Sequence, residues 1–102
     1  MRYDEVIKFY HLGDEVYDPN TGQMSSIESF SGERLCAAYD LSTEEKMTLL
    51  GRINVRAMMV HHRGKKIQAN ALLYDGNWFW IRSSKVFRNK ISYLVEAKKN
   101  EN

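Results

Sequence analysis

Lys66-Ile67-Gln68-Ala69-Asn70-Ala71-Leu72-Leu73-Tyr74-Asp75-Gly76-Asn77-Trp78-Phe79-Trp80-Ile81-Arg82 holds two apolar runs of strand length on either side of Asp75-Gly76. That dipeptide tolerates the positive φ angles of a type I′ turn, so the stretch reads as a β-hairpin. A two-residue turn sets Leu73 opposite Trp78 and Ala71 opposite Trp80 on one face. Leu72, Phe79 and Ile81 then share the other face with Gln68 and Asn70. The small alanines leave room for the indole rings. Both faces are apolar near the turn, which makes the hairpin central, with partners above and below.

Working back from the hairpin, residues 53–62 alternate Val55, Ala57 and Met59 against Arg56, Met58 and Val60, which predicts a strand. Arg63-Gly64 turns it into the hairpin, giving a three-strand meander through Arg82. Ser42-Thr43-Glu44-Glu45 is a capping box, followed by Lys46, Met47, Leu49, Leu50 and a left-handed stop at Gly51. The result is a helix of about two turns, too short to stand without packing. Met47 and Leu50, with Leu41 as staple, are expected to seal one end of the sheet. Further back, residues 5–12 set Val6, Lys8, Tyr10 and Leu12 against Ile7, Phe9 and His11, as a strand does. Asp18-Pro19-Asn20-Thr21-Gly22 suits a turn. Residues 23–30, a bulge at Ser31-Gly32 and residues 34–39 make one long, bent strand.

Working forward, a loop starts at Ser83-Ser84-Lys85 and ends near Asn89, residues 91–97 form the last strand, and the polar tail 98–102 frays. The 102 residues make one domain, 1–102, mainly β. About six strands and one short helix predict a small antiparallel β-barrel or sandwich.

No apolar run reaches the roughly 18 residues of a membrane span, and Met1-Arg2-Tyr3-Asp4-Glu5 has no signal-type apolar region behind it. Cys36 is the only cysteine, so no internal disulfide forms and a reducing interior is the natural setting. The formal net charge is only +2, but it is unevenly spread. Asp4, Glu5, Asp14, Glu15, Asp18, Glu28, Glu33, Asp40, Glu44 and Glu45 precede residue 52, against Arg2, Lys8, Arg34 and Lys46. From Arg52 onward bases dominate, opposed only by Asp75, Glu96 and Glu101. Such polarity suits nucleic acid near one surface, or head-to-tail contact between copies, unless the halves interleave and the charges mix.

His61-His62 invites a metal reading, but neighbours on a strand point to opposite faces, and only His11 and Cys36 could add soft ligands. No metal or other cofactor is expected. The carboxylates gather in loops and in the helix's first turn, where Glu44 and Glu45 favour the dipole, and no nucleophile elbow or phosphate-cradling glycine loop is present. An enzyme is not expected. Trp78-Phe79-Trp80 beside Arg82, Lys85, Arg88 and Lys90 could form a stacking platform with an electrostatic groove. The plainer reading is core on both sides of a central strand. The basic run Lys85, Arg88, Lys90 remains a candidate contact with phosphates or an acidic neighbour.

An opening strand (Val6 to Leu12), Tyr17-Asp18-Pro19-Asn20-Thr21-Gly22, Ala37-Ala38-Tyr39-Asp40-Leu41-Ser42, the helix and Gly51, Arg63-Gly64, the hairpin, and Arg88-Asn89-Lys90-Ile91-Ser92-Tyr93 follow one another over nearly the whole chain. This order of elements resembles the head-closure or minor capsid (head–tail connector) proteins of long-tailed bacteriophages. The resemblance implies a barrel-like virion protein of the neck, made in the bacterial cytoplasm. It would bind beneath the portal or its adaptor ring after DNA packaging, as a ring of copies that seals the channel and meets the tail-completion protein. The short helix stands where some relatives carry a longer loop. Ring subunits need heterologous contacts, one surface meeting a different surface of the neighbour. The expected contacts are Glu15, Asp18, Glu44 and Glu45 on one side, and Arg63, Lys65, Lys66, Lys85 and Arg88 on the other or along channel DNA. The alternative is a small barrel that binds single-stranded nucleic acid through Trp78, Trp80 and Arg82.

Overall fold

A computed structural model describes residues 2–98, with the side chains of residues 14–16, 18 and 23–27 outside that description. The elements are β1 (Glu5–Asp18), β2 (Gln23–Asp40), α1 (Thr43–Leu50), β3 (Ala57–Arg63), β4 (Ala71–Tyr74), β5 (Asn77–Phe87) and β6 (Lys90–Ala97). The strands close into an antiparallel barrel in the order β1-β2-β3-β6-β5-β4, with β4 returning to β1. Of the two architectures expected, the barrel is the one formed.

The hairpin has the register that its turn dictates: Ala71 opposite Trp80, Leu72 opposite Phe79, Leu73 opposite Trp78. Asp75 and Gly76 take φ values of 53° and 75°. Its position differs from the expected central one. In a closed barrel every strand is wall, with a single interior. Leu72 and Phe79 enter that interior with Ile7, Phe9, Cys36, Met58, Val60, Ile91, Tyr93 and Val95. Trp78 and Trp80 lie half-buried on the outer wall, so the aromatic run is core on one side only.

The expected meander through Arg82 does not form either. β3 lies between β2 and β6, on the opposite side of the ring from β4. Residues 64–70 therefore cross one end of the barrel, and Ile67 joins the core cluster on the way. Strand β4 begins only at Ala71, with Asn70 leading into it: its backbone N–H donates to the Tyr10 carbonyl on β1 and its carbonyl accepts from the Ile81 N–H on β5. β3 starts at Ala57 rather than residue 53: Arg56 is drawn to Asp40 at 3.2 Å and Ile53 is exposed. β5 runs on to Phe87, where a loop was expected from Ser83. A register shift between Ile81 and Ser83 absorbs Arg82 as a bulge and keeps β5 paired with β6. The turn is only Arg88-Asn89, with Arg88 at φ 43°.

α1 has both bonds of its capping box: the Glu45 N–H donates to Ser42 Oγ at 3.2 Å, and the Ser42 N–H donates to Glu45 Oε1 at 3.1 Å. Gly51 closes it at φ 73°. Leu50 packs on Leu41, Ala57 and Leu94. Met47 does not help to seal the sheet; it is 53 % exposed, and no residue of α1 is buried.

β1 and β2 outrun the barrel. β1 pairs with β4 only through Lys8, Phe9 and Tyr10, and β2 pairs with β3 only through residues 37–40. Beyond Leu12 and Glu28 the two strands pair only with each other, as far as the turn at residues 19–22. The bulge falls where the sequence puts it: Phe9 faces Gly32 and Tyr10 faces Phe30, leaving Ser31 as the extra residue. The free ribbon reaches roughly 20 Å, at about 3.4 Å per residue over residues 13–18, within a molecule of 47 × 30 × 20 Å.

Asn70 stands at the root of this arm. Its side-chain amide donates to the Leu12 carbonyl at 2.9 Å, and its Oδ1 accepts from the Leu12 N–H at 2.8 Å, so one side chain imitates a strand edge. Asn70→Ala removes both bonds and is expected to cost about 1–3 kcal/mol in denaturant unfolding. Amide exchange at Leu12 should speed up selectively.

The tail predicted to fray, residues 98–102, lies outside the described residues apart from Lys98, whose N–H donates to the Trp78 carbonyl at 2.9 Å.

Candidate interaction surfaces

The sequence scatters its basic residues, but the β3–β6 pairing collects them. Arg63 opposes Lys90 across β3 and β6, and Lys90 opposes Phe87 across the β5–β6 turn. The Gly64 N–H donates to the Asn89 carbonyl at 3.1 Å, tying the two turns together. Arg63, Arg88 and Lys90 thus line one open pocket with Tyr3, Val86 and Phe87. Exposed Lys65 and Lys66 follow Gly64 directly. Lys85 and Lys90 rim an adjoining groove of about 420 Å³. The two sets of bases named from the sequence therefore form a single surface.

Among the described residues, no counter-charge is spent on that surface. The ion pairs among the described residues are Arg2–Asp4, Arg52–Glu96, Arg56–Asp40 and Arg82–Glu96. Arg63 and Lys85 rest instead on aromatic rings, 5.0 Å above Tyr3 and 4.9 Å above Phe87.

The acidic residues are not brought together. Glu44 and Glu45 are exposed in the first turn of α1, and Glu45 is engaged in the cap. Glu15 and Asp18 lie on the arm, at the far end of β2 from α1, and their side chains fall outside the described residues.

The stacking platform also comes apart. Trp78 meets Tyr10 edge-on at 4.9 Å, and the Lys98 ammonium covers the Trp80 ring at 5.6 Å. Arg82 is held with Arg52 on the buried Glu96 carboxylate; burial alone would raise its pKa, but the bonds and charges of the two guanidiniums together hold it below the usual range. Arg88 lies six residues beyond Arg82, roughly 20 Å along the hairpin. The indoles and the uncommitted bases therefore do not share one groove.

His61 and His62 face opposite sides of the wall. His61 sits outside, beside the Tyr39 ring, with Nδ1 2.6 Å from Ser92 Oγ. No carboxylate bonds this pair among the described residues, so it lacks the third group of a hydrolytic triad. His62 is fully buried inside. Its Nδ1–H donates to the Arg63 carbonyl at 2.9 Å and its Nε2 accepts from the Tyr93 hydroxyl at 2.8 Å, while that hydroxyl accepts from the Ile67 N–H at 3.2 Å. The chain of bonds fits a neutral imidazole. Burial lowers the pKa of both histidines, helped at His61 by Lys90. A folded pKa below the unfolded value means that the unfolded chain binds protons first. Their stabilising contribution is therefore present above about pH 6.5 and is lost as pH falls below it, through the folded pKa values. Unfolding titrations are expected to show a lower midpoint at pH 5.5 than at pH 7.5, with the difference reduced in His62→Gln.

Cys36 is buried, its thiol donates to the Arg34 carbonyl at 3.5 Å, and burial pushes its pKa up to about 12. No cluster of three or more metal-ligating side chains occurs among the described residues, and none of their helices is long and apolar enough to cross a membrane. No protein-family model matches the chain, and no curated protein matches it.

Sequence reasoning missed Tyr3, Val86 and Phe87 as the apolar part of the basic surface, and Asn70 as the root of the arm. Val86 and Phe87 carried no local signal, because Ser83 to Arg88 reads polar, polar, polar, apolar, apolar, polar, without the alternation of a strand.

Proposed function

We propose that this chain is a structural subunit of a phage neck: a ring-forming virion protein that docks below the portal or adaptor ring, closes the DNA-filled head and receives the tail. The observation that carries the reading is the arm. A two-stranded ribbon is marginal in water by itself, and open strand edges invite pairing. Here such a ribbon projects from a barrel whose described core takes nothing from it: among the described residues, every buried apolar one lies at or before Leu12, or at or after Cys36. Tyr17 is more than half exposed on it, and Phe30 is more than half exposed near its root. A segment of this kind gains its stability from a neighbour, as a subunit repeated round a ring provides. The arrangement of elements along the sequence, with its resemblance to head-closure proteins, points the same way.

A second reading, a barrel that binds nucleic acid, is favoured by the unpaired basic surface of Arg63, Arg88 and Lys90. The two differ in one titration. Binding to a short single-stranded oligonucleotide is measured across salt concentrations, with solution mass recorded on the same sample. The neck reading predicts weak or absent binding at physiological salt. Tight binding by a monomer, lost steeply as salt rises, would replace it with the second reading.

A further inference from the structure

Beside the basic pocket, the outer face of β3, β6 and β5 carries a groove with an apolar floor of Met59, Leu94 and Phe87, rimmed by Lys85 and Lys90. No carboxylate lines it and neither lysine has an acidic partner among the described residues. Lys90 lies close enough to His61 for its charge to add to burial in lowering the imidazole's pKa. Elsewhere on the same molecule lies a surface of the opposite kind. Glu44 and Met47, three residues apart, share one side of α1. Met47 is 53 % exposed, and Glu44 pairs with no cation among the described residues. Leu49 projects from another side of the helix and forms part of the molecule's own groove, so the Glu44 and Met47 edge is the one left open.

We propose that this groove receives the edge of α1 formed by Glu44 and Met47 from a second copy of the chain. The thioether enters the apolar floor and the carboxylate meets Lys85 and Lys90. The contact joins two different surfaces, so it propagates from copy to copy and closes only as a ring or continues as a filament. It also explains an eight-residue helix held to its own barrel mainly by half-buried Leu50: such a helix has little stability alone, and a neighbour covers its open edge. This inference rests on the ring reading and adds a second contact between neighbours to the one made by the arm.

The test traps the contact covalently and spares the charges. Met47→Cys and Ser84→Cys chains are prepared separately, mixed and mildly oxidised; Ser84 lies in the groove and is exposed, and Cys36 is too deeply buried to compete. Met47→Cys mixed with Leu35→Cys, exposed on β2, measures random collision. The groove pair is expected to form its heterodisulfide at least about tenfold faster than the control pair. Adding Lys85→Glu to the Ser84→Cys chain is expected to remove that excess, and adding Glu44→Lys to the Met47→Cys chain to restore it. Equal trapping rates for the groove and control pairs overturn the interface, as does an excess that ignores the charge reversals. The mass of the wild type, measured at the same concentration, separates the two claims. An oligomer with unselective trapping overturns this interface and leaves the ring; a wild type that stays monomeric at every concentration, with unselective trapping, removes both.

Discussion

Replacing residues 13–27 with Thr-Asn-Gly-Thr is expected to leave a folded barrel that no longer assembles. Leu12 and Glu28 are paired partners, so the two threonines become the closing pair one step beyond them, on a two-residue turn for which Asn-Gly is suited. The Asn70 bonds to Leu12 survive, and so does the edge-to-face pair of Tyr10 and Phe30. No described core residue is lost. The thermal midpoint should stay within about 5 °C of the parent, the shift that roughly 1 kcal/mol produces in a domain of this size. Self-association, and retention of DNA by heads supplied with the shortened chain, should fall to background. A barrel that unfolds on excision would mean that the arm is structural; one that assembles normally would mean that the arm is not the assembly element.

Tyr93→Phe should produce the largest loss of stability from removal of a single atom. The hydroxyl serves two buried groups at once, donating to His62 Nε2 and accepting from the Ile67 N–H. Phenylalanine keeps the ring against Phe9, 5.2 Å away, so packing changes little while two polar groups lose their partner in a dry interior. At about 1–3 kcal/mol for each orphaned group, the cost should be roughly 2–6 kcal/mol by denaturant unfolding. The effect has a structural signature too: Ile67, which plugs the barrel end, should show faster amide exchange. A loss under about 1 kcal/mol would show that water or relaxation satisfies both groups.

What was legible in the sequence is what local chemistry determines. Asp75-Gly76 fixes its own turn and, through a period of two, the pairing of Leu72 with Phe79. Ser42 and Glu45 specify where α1 begins, and Ser31-Gly32 marks the bend in β2. The ring order was not legible, because it depends on what residues 64–70 do after Gly64. A tight turn there and a crossing of the barrel end look alike in sequence, and only the burial of Ile67 separates them. The same limit hid the site. Arg63 and Lys90 stand 27 residues apart in the chain and become neighbours only because β3 pairs with β6. The Trp78 and Trp80 faces looked like core since half-buried and buried aromatics share one pattern along a strand. Ser83-Ser84 read as loop because a bulge that prolongs a strand leaves no local trace.

The central claim, a ring-forming closure protein, is tested most directly by adding the purified chain to heads that have packaged DNA but carry neither this protein nor a tail. Nuclease-protected DNA and the mass of the bound complex are then measured together. The account predicts several copies per head, DNA held against nuclease, and both lost with the arm-excised chain. A chain that leaves the heads unoccupied and the DNA exposed, while binding free single strands tightly as a monomer, would contradict it.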